Sequence, residues 1–340
     1  MLSIFRTNQA AYSILLLVYA FALRISYFFN AYPVDMANDG ILSSVIKNWL
    51  TSDYVITGLI SLVIVFFQAL LINNLTTKYR LFRETTLFPG LFYILFVSAV
   101  QDFLPLSSIL LGNTFLILAI SNLLSIFKKT NCADAIFNVG FWLGAAALFY
   151  NAFALFLFLA FVGLLVLRSF KFREALMMLC GYILPFLFVS IYYFWNDQFQ
   201  LYWQEYFFNQ FAWLDFRFSG GGNLPYKLAI LGLLFLMGLF NSYTFEKSYR
   251  TRNYMNIFYA TLFISGFTFL FQQNIQLSHF LIIAIPISIL LAARFLAMSK
   301  TTAEFIHLLV FLAIILFQFD VFPIVPVSYT HLTLPTILLV

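Results

Sequence analysis

The chain has 340 residues, of which 63% are hydrophobic and 9% are charged, and its formal net charge is +5. Soluble domains carry roughly 25% charged residues because they need a polar exterior, so this composition excludes a soluble globular domain. The basic residues are dispersed among short loops and not gathered on one face, which argues against a protein that binds nucleic acid.

Apolar stretches recur along the chain and predict an all-α, polytopic transmembrane helix bundle. A spanning helix needs about 20 mostly apolar residues, because backbone polar groups in hydrocarbon must be satisfied within the helix. We predict about eleven spans, at residues 11–29, 55–75, 87–104, 106–127, 135–150, 152–167, 175–195, 226–245, 255–273, 279–297 and 303–320. The first stretch follows Arg6 and is interpreted as a signal anchor that is retained.

The basic residues predict the side of the membrane on which each loop lies. With eleven spans, all of the 18 Lys and Arg residues fall in one set of alternate loops, except Arg24, Lys47, Arg217 and Lys227. Cytoplasmic loops carry such an excess because cationic segments resist translocation. We therefore expect a cytoplasmic N-terminus in a bacterial inner membrane, with the lipid bilayer as the surrounding partner.

The first long outside loop, about 30–54, carries Asp35 and Asp39 and then a periodic apolar segment. The apolar positions recur every four residues, as Ile41, Val45 and Trp49 and as Leu42, Ile46 and Leu50, while Ser43, Ser44, Lys47 and Asn48 face away. This pattern predicts a short amphipathic helix in the plane of the interface, with Asn38 or Asp39 as its N-cap.

The second long outside loop, about 196–225, is rich in aromatic residues and contains Arg217. Aromatic residues of this kind most often form a belt at the membrane interface. All other predicted loops are short, so the two long loops are the main candidates for a site outside the membrane.

Sequence motifs of soluble enzymes are absent: there is no phosphate-binding Gly-rich loop, CxxC, HExxH or GxSxG. The polar candidates each have a structural alternative. Arg24 lies inside the first span, where it either snorkels to the interface or faces the bundle. Asp102 at the tip of a tight hairpin is a candidate cap for the next span, and His279 opens the tenth span as a candidate hydrogen-bonded residue of the interface.

Three segments resemble the multi-pass glycosyltransferases of the GT-C class, which use polyprenyl-phosphate-linked sugars. They are FALRISYFFNAYPVDMANDGILSSVIKNWL, VQDFLPLSSILLGNTFLILAISNLL and LSHFLIIAIPISILLAARFL. The first is similar to that class's first helix and acid loop, the second to its second acid turn, and the third to a late helix with an internal Pro. The class commonly has adjacent acids in the first loop, whereas Asp35 and Asp39 are separated here.

The resemblance implies roles for the polar residues near the outer face. Asp35 would be the base or a metal ligand, assisted by Asp39 or Asp102. The candidates for binding the substrate phosphate are Arg24, Lys47, Arg217 and His279. A Mg²⁺ or Mn²⁺ ion would be held by Asp35 and Asp102, because hard cations prefer oxygen ligands. The implied substrate is a polyprenyl-phosphate sugar.

Two other functions remain open at this point. The Phe-rich, short-looped pattern also resembles an uncharacterised bacterial family of multi-pass membrane proteins, carried as a domain of unknown function, which implies no activity. A non-catalytic membrane scaffold or subunit of an envelope-assembly complex is therefore the alternative to the glycosyltransferase. A transporter is third, because charged, Gly- or Pro-interrupted helices at the middle of the membrane are largely missing.

The last residues do not resemble a natural membrane protein. Residues 327–336 read VSYTHLTLPT, which is similar to the translation of a transposon-end sequencing adapter. We therefore expect one multi-pass membrane domain over residues 1–326, and adapter read-through over residues 327–340.

Overall fold

The computed structural model describes residues 2–6, 10–30, 40–50, 53–129, 131–168, 171–201, 203, 218–219, 224–239, 249–271 and 275–319. Asp35, Asp39 and Arg217 lie outside these ranges, as do residues 320–340, so what the sequence predicts for them stays a prediction.

The described chain is built from α-helices, so the all-α fold class is confirmed. The helices are α1 (Leu2–Phe5), α2 (Ala10–Phe29), α3 (Ile41–Trp49), α4 (Tyr54–Lys78), α5 (Phe88–Val97), α6 (Ser108–Ser125), α7 (Ala133–Phe149), α8 (Phe156–Leu167), α9 (Phe172–Trp195), α10 (Phe199–Leu201), α11 (Leu224–Leu239), α12 (Tyr249–Thr268), α13 (Ala284–Ala297) and α14 (Lys300–Gln318). Short 3₁₀ segments occupy Gln101–Phe103, Asn151–Leu155, Phe269–Phe271 and Leu277–Ile283. Two-residue strands β1 (Phe218–Ser219) and β2 (Ile275–Gln276) pair in parallel.

Within the described ranges, seven helical stretches are long and apolar enough to cross a membrane. They are Tyr12–Phe29, Tyr54–Lys78, Ser108–Ser125, Phe172–Trp195, Tyr249–Phe271, Leu277–Ala297 and Lys300–Gln318. The other predicted spans overlap the shorter apolar helices Phe88–Val97, Ala133–Phe149, Asn151–Leu167 and Leu224–Leu239. The helices are compatible with a multi-pass integral membrane protein, whereas the number of about eleven spans stays a prediction.

The helix α5 is enclosed by the rest of the bundle, and all of its residues are buried. It is shorter than its predicted span, because regular helix ends at Val97 and the chain turns through Gln101–Phe103. Its 10 residues, at about 1.5 Å each, extend roughly half the thickness of a bilayer core. The irregular backbone that follows is also enclosed by protein, since Ala99, Val100, Phe103 and Leu104 are buried.

The core forms where α5 packs against α13 and α4. The ring centroids of Phe92 and Phe295 lie 4.4 Å apart between α5 and α13. On the α4 side, the backbone N–H of Gly90 donates to Asn73 Oδ1 at 2.7 Å. This hydrogen bond satisfies one of the N–H groups in the first turn of α5, which have no acceptor within their own helix.

The helices α7 and α9 make an unusually close pair through glycine. A Cβ atom on Gly140 would clash with the carbonyl oxygen of Met178, and one on Gly144 would clash with that of Tyr182. From the other side, a Cβ on Gly181 would meet a backbone carbonyl of α7. Membrane helices associate in this way because small residues let the two backbones approach.

The helix α3 forms where the periodic stripe predicted it, but its N-cap was predicted wrongly. The residue before the helix is Gly40, not Asn38 or Asp39, and glycine has no side chain that could cap the helix. A Cβ at Gly40 would clash with the carbonyl oxygen of Phe149. Glycine therefore starts the helix because the backbone of α7 lies against it.

The face of α3 that contacts the bundle also differs from the predicted one. Ser43, which was predicted to face away, is buried and donates to the carbonyl oxygen of Phe149 at 3.1 Å. The last carbonyls of α7 have no helical donor, so a side-chain donor is favourable there. Ile41 packs with Leu148 and Tyr193, whereas Trp49 is 88% exposed. A position of α3 in the plane of the membrane interface stays a prediction.

The glycine contacts give a test of the α7–α9 pair. Gly144→Ala should destabilise the protein by roughly 1–3 kcal/mol, because the added methyl group must displace the backbone of α9. Thermal unfolding in detergent, followed by fluorescence, would measure the change.

Gly232 in α11 is the matched control, since a Cβ there would meet nothing within 4 Å. Gly232→Ala should leave the midpoint of thermal unfolding unchanged or raise it, because Ala is a better helix former than Gly by about 1 kcal/mol. Equal effects of the two substitutions would contradict the close packing of α7 and α9.

Candidate functional site

Asp102 lies in the 3₁₀ segment between α5 and α6 and pairs with a lysine that begins α11. The Nζ atom of Lys227 is 2.5 Å from Asp102 Oδ2. The side chain of Asp102 is 32% exposed and that of Lys227 is 7% exposed. A cation in the first turn of a helix is disfavoured by the helix dipole. The carboxylate of Asp102 offsets this effect and stabilises the ammonium of Lys227.

Arg24 in α2 faces the bundle, which decides between the two interpretations of this residue. It is 2% exposed, and its Nη2 atom donates to Ser61 Oγ at 2.9 Å. The same nitrogen donates to the carbonyl oxygens of Phe103 at 3.2 Å and of Leu104. Arg24 therefore fixes the backbone directly after Asp102.

Arg24, Asp102 and Lys227 together are called the Asp102 cluster below. Two positive charges oppose one negative charge, so the cluster is net positive. The second terminal nitrogen of the guanidinium, Nη1 of Arg24, is buried without a hydrogen-bond partner. Buried polar groups are normally hydrogen-bonded, so this nitrogen is a candidate contact for an anion.

The turn that carries Asp102 is also held by the end of α14. The Nε2 atom of Gln318 donates to the carbonyl oxygen of Ser98 at 2.5 Å, and Ser26 Oγ donates to Gln318 Oε1 at 2.8 Å. The side chain of Gln101 donates to the carbonyl oxygen of Gln318 at 2.9 Å. Three helices are thereby joined at one end of the bundle, beside the Asp102 cluster.

His279 lies in the 3₁₀ segment that precedes α13, and this segment packs on the segment that carries Asp102. Its Nδ1 atom is 2.9 Å from the backbone nitrogen of Gln276, in a reciprocal capping arrangement. The ring of Tyr150 lies edge-on at 5.5 Å, between ring centroids. The Nε2 atom is buried without a hydrogen-bond partner. The predicted hydrogen-bonded histidine is therefore observed, while its contact with phosphate stays a prediction.

The remaining predicted site residues are Lys47 and three residues outside the described ranges. Lys47 is exposed on α3, which packs against α7. Asp35, Asp39 and Arg217 fall in the parts of the chain that the structure does not describe.

The predicted metal site was assigned to Asp35 and Asp102. Among the side chains that the structure describes, no group of three or more His, Cys, Asp and Glu residues could hold a metal ion. The Oδ2 atom of Asp102 is already in contact with an ammonium group. The described donors therefore do not fit a Mg²⁺ or Mn²⁺ ion by themselves, and the prediction depends on Asp35.

Lys227 and Gln318 are the residues of this region that the sequence did not single out. Lys227 was recognisable as one of the few cations on the side opposite the basic loops. Gln318, at the end of a long apolar helix, gave no signal beyond its polarity.

The chain matches no family model, no curated protein and no solved structure. The class of protein is therefore defined by the fold alone, as a helical bundle compatible with a multi-pass integral membrane protein.

The pair of Asp102 and Lys227 can be tested with a double-mutant cycle. Asp102→Asn should destabilise the protein, because it leaves the ammonium of Lys227 buried without a counter-charge. We expect less than the ~3–5 kcal/mol of a fully buried pair, because Asp102 is partly exposed. The measurement is thermal unfolding in detergent.

The double variant Asp102→Asn/Lys227→Met removes both charges and should recover most of the loss. The single variant Lys227→Met completes the cycle. If the losses of stability in the two single variants add up to the loss in the double variant, the two side chains do not interact.

Proposed function

We propose that this chain is an outward-facing membrane glycosyltransferase that uses a polyprenyl-phosphate-linked sugar. The observation that supports it best is the Asp102 cluster, in which buried positive charge lies beneath a partly exposed acid at one end of the bundle. Ionisable residues inside membrane helices are disfavoured unless they have a functional or pairing role. A phosphate on an apolar lipid is a ligand that matches both the charge and the surroundings.

In the proposed reaction, the oxygen of an acceptor hydroxyl attacks the anomeric carbon of the sugar. The bond from that carbon to the phosphate oxygen breaks, and its electron pair leaves with the polyprenyl phosphate. The hydroxyl proton passes to a carboxylate, for which Asp35 is the first candidate and Asp39 the second. The added negative charge on the leaving phosphate is stabilised by fixed positive charge nearby.

The described residues take supporting roles in this proposal. Lys227 and Arg24 supply the positive charge, and Asp102 is a positioning residue that orients the ammonium of Lys227. The Nε2 atom of His279, which has no hydrogen-bond partner, is a further nitrogen close to the segment that carries Asp102.

The buried polar side chains between α4, α5 and α6 favour a transferase over a transporter. Tyr93 donates to Gln68 Oε1 at 2.7 Å, and Gln68 Nε2 lies 2.8 Å from Thr114 Oγ1. These neutral side chains satisfy one another's hydrogen bonds inside the bundle. Ion-coupled transporters instead place titratable groups in such a network.

The proposed orientation, with the N-terminus in the cytoplasm of a bacterial cell, can be tested by labelling. In a variant without Cys132 and Cys180, a cysteine at Asn48 should react with an impermeant maleimide on intact spheroplasts. A cysteine at Thr85 should react only after permeabilisation. Both positions are exposed, so labelling reports the side of the membrane and not burial. Reaction at Thr85 alone would reverse the orientation and remove the outward-facing site.

Transfer itself is tested with the purified wild type in nanodiscs, a panel of polyprenyl-phosphate-linked hexoses and a panel of hydroxyl acceptors. The wild type should release polyprenyl phosphate, and Asp35→Asn should lose activity by ~10²–10⁴-fold because the base is removed. Full activity of Asp35→Asn would disprove the assigned base.

Asp53→Asn is the matched control, since Asp53 precedes α4 and its side chain makes no capping hydrogen bond. It should retain activity.

In the same nanodiscs, polyprenyl monophosphate should bind and the matching polyprenol should not, and Arg24→Gln should weaken binding. Absence of phosphate-dependent binding to the wild type would favour the non-catalytic scaffold.

A further inference from the structure

A second candidate site lies at the end of the bundle opposite the Asp102 cluster. A cavity of about 840 Å³ is bounded by α1, the start of α5, the end of α13 and the start of α14. Sites for small molecules typically have ~300–1,000 Å³, so the volume suits an organic ligand. None of the residues that line this cavity belongs to the proposed catalytic site.

The short helix α1 is fixed across this cavity by two contacts. The backbone N–H of Ser3 donates to Glu304 Oε1 at 3.1 Å. The Nε atom of Arg6 lies 3.0 Å from Glu84 Oε2, in an ion pair. The wall that α1 provides is therefore held to two other parts of the chain, and the cavity is a feature of the fold.

The charges that line the cavity have a positive excess. Three cations, Arg6, Arg83 and Lys300, face two acids, Glu84 and Glu304. Arg6 and Glu84 neutralise each other in their ion pair. Among the described residues of the lining, Arg83 and Lys300 are the exposed cations besides this pair, and Glu304 is the other acid. The cavity is therefore suited to a ligand with a negative charge.

The lining also contains an apolar part. Phe88 and Phe295 are both 3% exposed and contribute to the cavity wall. On α14, Phe305 is 67% exposed and follows the cavity residue Glu304 by one position. Large exposed aromatic residues on a membrane helix face lipid, so the cavity lies beside the lipid-facing surface of α14.

We propose that this cavity binds the phosphate headgroup of an anionic phospholipid. Basic pockets between transmembrane helices on the cytoplasmic side bind anionic lipid headgroups, and the predicted topology puts this end of the bundle in the cytoplasm. The phosphate lies between Arg83 and Lys300, and the glycerol and first acyl carbons lie against Phe88 and Phe295. This site shares the predicted topology with the glycosyltransferase proposal, but its residues and its binding test are different.

The test is native mass spectrometry of the full chain in detergent, titrated with dioleoyl phosphatidylglycerol and separately with dioleoyl phosphatidylcholine. The wild type should bind phosphatidylglycerol preferentially. Each cation near a membrane surface contributes about fivefold to binding of an anionic lipid, so Arg83→Gln/Lys300→Gln should weaken binding roughly 30-fold.

Two further variants distinguish the loss of lipid binding at this cavity from a general loss of lipid binding. Lys171→Gln/Arg173→Gln removes two exposed cations on the same predicted side but outside the cavity, and it should bind like the wild type. Glu304→Gln removes an acid from the cavity while keeping an oxygen that accepts from Ser3, so it should strengthen binding about fivefold. A misfolded protein would not show this gain.

Equal affinity of all variants for phosphatidylglycerol would overturn the proposal. Equal binding of phosphatidylcholine by the wild type would overturn it as well. Competition by free glycerol 3-phosphate at the same concentration as lipid would assign the cavity to a soluble phosphate compound, and the lipid assignment would be lost.

Discussion

The guanidinium of Arg24 donates to the carbonyl oxygens of Phe103 and Leu104, at a point where the chain between α5 and α6 is not regular α-helix. Carbonyl groups of a buried turn that is not helical have no donor within a helix, so another part of the protein must supply one. A charged donor is itself unfavourable there unless it faces the bundle and finds acceptors. The irregular turn and the buried arginine therefore stabilise each other, and the position of Asp102 depends on both.

The two ends of the bundle use charge differently. At one end, the charges of the Asp102 cluster are largely buried and are fixed by short hydrogen bonds, which suits the precise orientation of a reacting group. At the other end, Arg83 and Lys300 are exposed at the edge of a cavity. Exposed, long cationic side chains adapt to a headgroup but do not orient it tightly. A catalytic role therefore fits the first end and a lipid-binding role fits the second.

The helices themselves were predictable because hydropathy is a local property of the chain. The predicted span 55–75 lies within Tyr54–Lys78, and the predicted span 175–195 lies within Phe172–Trp195. Helix ends were predicted less well, and the largest difference is at α5. Its predicted span continued to residue 104, but regular helix ends at Val97, and the carbonyls of Phe103 and Leu104 accept from the side chain of Arg24. That side chain belongs to another helix, which a hydropathy profile does not register.

The sequence by itself determined that the chain is a bundle of apolar helices and that Asp102 and Lys227 lie near the same predicted side. The tertiary structure decided that these two side chains meet, that Arg24 faces inward, and that Gly140 and Gly144 face α9. The spacing of the two glycines is visible in the sequence, but the sequence does not show which helix packs against them. Hydropathy locates a helix along the chain, whereas the rotation of the helix about its own axis depends on side chains far away in the chain. Asp102 and Lys227 illustrate this, since 125 positions separate them.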